Sequence, residues 1–324
     1  MSEVHRFLFE GMPVRGVIVR LTDAWTEVLR RRASNAEKGA FAPPVQDLLG
    51  QMCAAAVLMQ SNIKFNGSMV LQIFGDGPVK LAVVEVQADL GLRATASVAG
   101  EICAGASLGQ MVNLSNGGRC ALTLDTVDRL PGQQPYQGVV PLSNGGVTFK
   151  DMSSVVQHYM RQSEQLDTTL VLSASESVAA GLLIQRLPVE GEANLAGQST
   201  HAPCDDNEGY QRIATLASSL TTRELLDLDI DSVLHRLFWQ EPLLRMMNDS
   251  ASRQPHFKCS CSRERVGKML TGLGEAEASG ILAEQGQVGV SCDFCSVQYV
   301  FDKVDVAGLF RASPVARAPN SPLQ

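Results

Sequence analysis

The chain has 324 residues, 45% of them hydrophobic and 19% charged, with a formal net charge of -7. This balance is typical of a soluble globular protein, and the length exceeds what one core usually supports, so we expect two or three packed units. The acidic balance argues against nucleic acid as a partner. Glu3, Arg6 and Glu10 interrupt any apolar leader, and the longest apolar run, residues 54–59, is too short to span a bilayer. We therefore predict a cytoplasmic protein that does not bind membranes.

Residues 1–188 alternate strand-like and helical runs, which predicts an N-terminal α/β (α+β) domain with a mixed sheet. The strand predictions are residues 14–21, 68–74, 79–86, 92–98, 120–127, 168–173 and 181–187. The helix predictions are residues 23–32, 44–60 and 149–164. Apolar residues recur with a helical period in the last of these, and Thr148 and Asp151 are spaced as a capping box at its start.

The rest of the chain divides by composition. Residues 189–208 are rich in Gly, Ser, Asn, Asp and Pro, which predicts a loop. Residues 209–253 carry two short apolar stripes and an acidic outer face, which predicts a helical linker region that depends on docking for its stability. We assign residues 254–310 to a small C-terminal zinc-binding domain and residues 311–324 to a disordered tail.

Four of the eight cysteines form two close pairs in the last quarter of the chain: Cys259 with Cys261, and Cys292 with Cys295. Two close pairs whose segments fold together are the usual donor set of a structural zinc site. A segment of this length buries little apolar surface, and a metal is a common remedy. We therefore predict one zinc ion bound by these four thiolates.

Four thiolates on one zinc leave no open position for a catalytic water, so we do not expect an enzyme. The sulfurs remain reactive, because oxidants attack metal-held thiolates, and each pair can close a local disulfide that no longer holds zinc. We therefore interpret the site as a redox switch, with a permanent structural zinc clip as the alternative.

The other cysteines and the histidines carry weaker signals. Cys53, Cys103 and Cys120 lie in apolar or strand-like settings, which predicts core packing. Cys204 falls in the polar loop. His256 is the one histidine near the cysteine pairs and is an alternative ligand.

Motifs along nearly the whole chain resemble those of the 33 kDa heat shock protein family, the redox-regulated bacterial holdases. In the zinc segment they are the run FKCSCSRER at residues 257–265, residues 281–284, and Cys292-Asp293-Phe294-Cys295 followed by Tyr299 and Phe301. Earlier matches are Lys64-Phe65-x-Gly67, Gly75-Asp76-Gly77-Pro78, Tyr136-x-Gly138-Val139-Val140, Tyr159-x-x-x-Ser163-Glu164-Gln165 and residues 181–188. The loop at residues 190–206 and the tail after residue 310 depart from the family's pattern.

The resemblance implies a chaperone that is inactive while reduced and zinc-bound. It implies disulfides joining Cys259 to Cys261 and Cys292 to Cys295 on oxidation, with loss of zinc, unfolding of the zinc domain and destabilisation of the linker. The exposed surface then binds unfolding proteins during oxidative and thermal stress. The resemblance also suggests a homodimer in the oxidised state.

Two other functions compete with this interpretation. The first is a zinc-ribbon module that binds nucleic acid, although acidic residues outnumber basic ones in residues 254–310. The second is a dithiol oxidoreductase that uses Cys292 and Cys295. Such enzymes place the pair at a helix N-terminus after a strand, whereas strand-like sequence lies on both sides of this pair.

Overall fold

The computed structural model describes residues 1–63, 65–129, 132–188, 205–246 and 253–311. The chain forms two compact units, a large unit (Met1–Lys258) and a small unit that begins at Cys259. Both mix helices and strands.

The large unit contains thirteen strands within the described residues. In chain order they are β1 (Glu3–Phe9), β2 (Val14–Leu21), β3 (Gly67–Phe74), β4 (Val79–Gln87), β5 (Gly91–Val98), β6 (Arg119–Thr126), β7 (Tyr136–Pro141), β8 (Ser143–Asn144), β9 (Val147–Thr148), β10 (Thr168–Ala174), β11 (Ala179–Arg186), β12 (Leu243–Met246) and β13 (His256–Phe257). Its helices are α1 (Asp23–Ala33), α2 (Pro43–Asn62), α3 (Leu108–Val112), α4 (Met152–Tyr159) with a π-helical turn at Met160–Glu164, α5 (Asp205–Ser218), α6 (Thr222–Asp227) and α7 (Ile230–Phe238).

The first sheet of the large unit is antiparallel and has the strand order β10-β11-β2-β1-β12. Its central strand β2 is buried on both faces. Val17 and Val19 belong to the core that contains α2, whereas Val14 and Ile18 belong to a second core on the opposite face. A strand covered on both faces has a nearly continuous apolar sequence, and this one reads VRGVIVRL.

The second sheet has the strand order β13-β5-β4-β3-β6-β7, and α2 packs against both sheets. Helix α2 is apolar around most of its circumference because it has a sheet on either side. Gly75-Asp76-Gly77-Pro78 joins β3 to β4 as the predicted hairpin turn. β13 adds a short parallel pairing at the outer edge of β5, so residues 254–258, which we assigned to the zinc domain, include a strand of the large unit.

Helices α5, α6 and α7 cover the outer face of the first sheet. Phe238 of α7 packs edge-on against Phe9 at 5.1 Å between ring centroids, and Phe7 lies beside both. The short helices are fixed at their starts: Thr221 and Glu224 form a capping box on α6, and Asp229 caps α7. The predicted linker helices therefore form an apolar layer on the sheet.

Most predicted elements of the first 188 residues are confirmed to within a few residues, but β1, β7, the two-residue strands and helix α3 were not predicted. Two predictions were wrong. The linker region is not helical throughout, because Leu243–Met246 forms β12 along β1. Thr148 lies in β9, and Asp151 alone caps α4 by accepting a hydrogen bond from the Ser154 amide.

The predicted loop and tail lie mainly beyond the described residues. Residues 189–204, including Cys204, and residues 312–324 are outside them. Residues 205–208, assigned to the loop, begin α5 instead.

The small unit contains α8 (Arg263–Leu273), α9 (Glu275–Gln285), β14 (Val288–Ser291), β15 (Gln298–Phe301) and α10 (Lys303–Arg311). β14 and β15 pair as an antiparallel hairpin. The fully buried apolar cluster of the unit is small, and its members are Leu270, Ala278, Val288, Phe301 and Val306.

Phe238→Ala tests how α7 is held. The ring is 2% exposed, so truncation leaves a cavity between α7 and β1 and should cost about 3 kcal/mol of stability in this layer. Hydrogen exchange across α5–α7 measures the loss, and the adjacent Trp239→Ala, at a side chain 68% exposed, is the matched control. Equal effects of the two substitutions would contradict the packing described here.

Candidate metal centre

Two short segments of the small unit carry the four cysteines. Cys259 and Cys261 lie just before α8, whose first turn is capped by Ser262 through a hydrogen bond from the Arg265 amide. Cys292 and Cys295 lie in the loop between β14 and β15. The fold therefore presents one pair from a helix entry and the other from a hairpin loop.

Backbone geometry fixes the hairpin loop. The Cys292 amide donates to the Val297 carbonyl oxygen at 2.9 Å, and the Ser296 amide donates to the Cys292 carbonyl oxygen at 2.8 Å. Ser296 has φ of 59°, the left-handed conformation that closes the turn. This tight loop directs both thiols to one side.

The four Sγ atoms all lie within 4.8 Å of one another. The Cys259 and Cys292 sulfurs are 3.7 Å apart, and the Cys261 and Cys295 sulfurs are 3.2 Å apart. Four sulfurs at about 2.3 Å from a tetrahedral zinc are about 3.8 Å from one another, so the donor set and its spacing fit zinc. Both measured separations exceed a disulfide bond of about 2.05 Å. The arrangement is that of thiols grouped around a common centre.

Crowding and burial raise the pKa of two of the four thiols. The hydrogen bond with Cys259 and partial burial raise the pKa of the Cys292 thiol well above its usual range. Burial, together with the neighbouring thiols, raises the pKa of Cys295 to about 11. A divalent cation reverses this preference, because it stabilises thiolates that would otherwise repel one another. The cluster is therefore suited to a soft cation.

Groups around the sulfurs hold the two segments in place. The Tyr299 hydroxyl donates to Cys261 Sγ at 3.2 Å, and this bond raises the pKa of Tyr299 to about 12. Arg265 donates to the Ser260 carbonyl oxygen at 2.8 Å. Arg263 stacks over the Phe301 ring at 4.3 Å and donates to the Val300 carbonyl oxygen at 2.7 Å, which joins the start of α8 to β15.

The remaining candidates lie elsewhere. His256, the alternative ligand, is not part of the cluster of metal-ligating groups; its Nδ1 lies 3.0 Å from the Gln254 carbonyl oxygen. Cys53 and Cys120 are buried as predicted, and burial raises the pKa of Cys120 to about 12. The prediction for Cys103 was wrong: this thiol is exposed, because it lies in the irregular segment between β5 and α3.

Comparison with known proteins identifies the family. A family described as Hsp33 protein matches residues 2–302. The chain belongs to the Hsp33 family. A 33 kDa chaperonin of Chromobacterium violaceum is 43% identical over 317 residues, covering 98% of this chain and 96% of that protein. A 33 kDa chaperonin of Neisseria meningitidis serogroup B is 39% identical over 319 residues, covering 98% and 94%. Membership of the Hsp33 family makes the chain a chaperone.

A solved structure agrees with the fold. The 33 kDa chaperonin of Thermotoga maritima superposes with a TM-score of 0.70 at 20% identity, covering 95% of this chain and 97% of that one. The similarity supports the α+β architecture of the Hsp33 family. Within the part of the chain that the structure describes, no helix combines the length and hydrophobicity needed to cross a membrane.

The geometry also bears on the oxidoreductase alternative. Cys292 and Cys295 lie in a hairpin loop, whereas a dithiol enzyme gains its low thiol pKa from a helix N-terminus. The position of this pair therefore differs from that of a dithiol enzyme.

Tyr299→Phe tests the groups that surround the sulfurs. Losing the hydroxyl removes the hydrogen bond to Cys261 Sγ while keeping the ring, so zinc affinity should fall about tenfold. Competition with a chromophoric zinc chelator measures it. Thr271→Val, which removes a hydroxyl bonded to the Gly267 carbonyl oxygen, is the control and should leave affinity unchanged. Equal affinity of both variants would show that the hydroxyl does not support the site.

Proposed function

We propose that this chaperone is a redox-regulated holdase of the cytoplasm. It carries one zinc ion while reduced, and it binds unfolding proteins after its zinc-binding cysteines are oxidised, as a homodimer and without nucleic acid, membrane or catalysis. The observation that carries the proposal is the group of four sulfurs within 4.8 Å in the small unit of an Hsp33 family member.

The small unit depends on its sulfurs because its apolar cluster is slight. Five buried apolar residues, with seven partly buried ones packed against them, are a small core for about fifty ordered residues, so the unit needs a further source of stability. When bound, zinc supplies folding free energy, about 10 to 16 kcal/mol on the scale of zinc-finger peptides. If the cysteines can no longer bind zinc, the small unit should therefore unfold.

Oxidation can join the sulfurs within the two close pairs or across them, and the consequences differ. For each disulfide, two sulfurs lose two electrons to one hydrogen peroxide, which takes up two protons, from the thiols or, where a cation holds thiolates, from solvent, and becomes two waters. Bonds within the pairs close loops of one and two residues and leave the helix entry and the hairpin unlinked. Bonds across the pairs, Cys259 to Cys292 and Cys261 to Cys295, would tie those segments together. Only pairing within Cys259–Cys261 and Cys292–Cys295 frees the small unit to open.

The linker helices are the layer that opening can loosen. The chain runs from β12 to β13 and then directly to Cys259. Once the small unit unfolds, this end of the linker region would be fixed to the large unit mainly by the two-residue pairing of β13 with β5. α6 and α7 have six and nine residues, too few to persist in water without docking. Their loss would uncover apolar residues of the first sheet such as Phe7, Phe9 and Ile18, a surface suited to exposed apolar segments of clients.

Zinc content and suppression of aggregation, measured side by side, test the proposal. Reduced protein should hold about one zinc per chain and suppress aggregation weakly; peroxide with mild heat should release zinc and raise suppression severalfold. Cys103→Ser, which removes an exposed thiol outside the cluster, should behave like the natural chain. Suppression that responds to peroxide in a variant with serine at all four cluster positions would refute control by these cysteines.

Disulfide mapping by mass spectrometry tests the pairing. Oxidised protein should yield peptides with Cys259 joined to Cys261 and Cys292 joined to Cys295. The cross-pair sulfurs lie as close as 3.2 Å, so slow oxidation of a folded unit can trap the other pairing. A fully active oxidised form containing only cross-pair bonds would contradict the proposed opening.

A further inference from the structure

A cavity lies at the C-terminal end of α2, the helix that packs between the two sheets of the large unit. The helix ends at Asn62, and the cavity beside this end has a volume of about 120 Å³. Met59 of α2, Leu183 of the first sheet and Leu122 of the second contribute to its wall, and all three belong to the main core. Every described residue that lines it belongs to the large unit.

An irregular piece of helix forms another wall of this cavity. After Tyr159, α4 continues as the π-helical turn Met160–Glu164, and Gln165 follows with φ of 55°. Met160 and Glu164 both line the cavity. Single π-helical turns are rare, and they are frequent at functional sites. This turn lies in the Tyr159-to-Gln165 motif of the sequence, to which the metal centre gives no role.

The wall is mainly apolar and includes one cationic side chain among the described residues, Arg15 of β2. Arg15 pairs with Gln185 of β11, and its Nε and one terminal nitrogen both donate to the Gln185 side-chain oxygen, the first at 2.9 Å. Gln185 is 2% exposed, and its amide nitrogen donates to the Thr168 hydroxyl at 2.9 Å. A buried amide therefore fixes the position of the guanidinium.

Arg15 has no anionic partner in the part of the chain that the structure describes. Its side chain is half-buried and donates to a neutral amide, and burial lowers the pKa of the guanidinium with no neighbouring charge to offset the effect. A charge removed from water without a counter-ion is costly. A carboxylate is the matching anion, because it accepts two parallel hydrogen bonds from one guanidinium.

Glu164, the acidic side chain at this wall, has its own partners. It is exposed to solvent, and its Oε1 accepts hydrogen bonds from the Tyr159 hydroxyl at 3.0 Å and from the Tyr136 hydroxyl at 3.1 Å. Water and two donors already stabilise this carboxylate. An anionic ligand therefore gains more at Arg15 than a cationic ligand gains at Glu164.

We propose that this cavity binds a small monocarboxylic acid whose carboxylate pairs with Arg15 and whose apolar body packs against Met59, Leu122 and Leu183. The volume sets the size of the body: an apolar cavity of about 150 Å³ holds benzene, so a body of about six carbons fits. Because a ligand that binds only the folded protein adds to its stability, the acid stabilises the large unit. The site is a small-molecule site, additional to the proposed holdase function and independent of it.

Three methionines of the wall, Met59, Met69 and Met160, report directly on the cavity. In protein with isotope-labelled methionine methyl groups, millimolar benzoate should shift their NMR signals and leave that of the exposed Met269 of α8 unchanged. Benzyl alcohol has the same ring without the charge and should bind about tenfold more weakly, and benzylamine should bind more weakly still. Benzoate that shifts none of the three signals, or that binds no better than either uncharged or cationic analogue, overturns the proposal.

Arg15→Met tests the pairing from the side of the protein. It removes the guanidinium but keeps an apolar stem, so benzoate affinity should fall about tenfold, to that of benzyl alcohol. Arg119→Met, which removes an exposed arginine at the start of β6, is the matched control and should leave benzoate affinity unchanged. If Arg15→Met does not fold, the comparison of the three ligands in the natural chain still decides. Undiminished benzoate binding by a folded Arg15→Met variant refutes the site.

Discussion

The shortage of apolar contacts in the small unit is the constraint on which the rest depends. Leu270, Ala278, Val288, Phe301 and Val306 form a cluster that would be modest even for a domain of forty residues. Hydrogen bonds such as Arg263 to the Val300 carbonyl oxygen orient its segments but add little net stability in water. In the proposed function the remaining stability comes from the four sulfurs, whose bonding would change on oxidation. A unit with a larger core would remain folded whatever the state of its cysteines.

The first sheet has an apolar face whose exposure a switch of the proposed kind could control. β2 alternates between two cores, so its Val17 face is sealed by α2, whereas its Ile18 face depends on helices of the linker. α6 and α7 are short and capped by side chains, with Thr221 and Asp229 accepting hydrogen bonds from first-turn amides, which lack a partner within their own helix. Helices of this kind are stable while they pack on the sheet, and they unfold together when the contacts that hold them on the sheet are weakened. The same sheet can thus be a core in one state and a binding surface in the other.

Local signals explain what could be predicted from the sequence. The two cysteines of each pair are close in sequence, so the chain needs to bring together only two short segments to group all four. Strands such as β2 are long and apolar enough to be recognised from their pattern of residues. β12 and β13 have four and two residues and owe their conformation to partners more than 160 residues away in the chain. A segment of two to four residues is too short for its own sequence to predict such a pairing. Cys103 was misplaced because its neighbours are apolar although its backbone belongs to no element.

The covered face of the first sheet limits what it can offer a client in the proposed function. Phe7, Phe9 and Ile18 are buried while α5–α7 pack on the sheet, so they could contact a client only after that layer loosens. Apolar area binds exposed apolar segments of any sequence, because the hydrophobic effect is not directional. A face of this kind would therefore select chains by what they expose, and unfolding chains expose the apolar residues that native proteins bury.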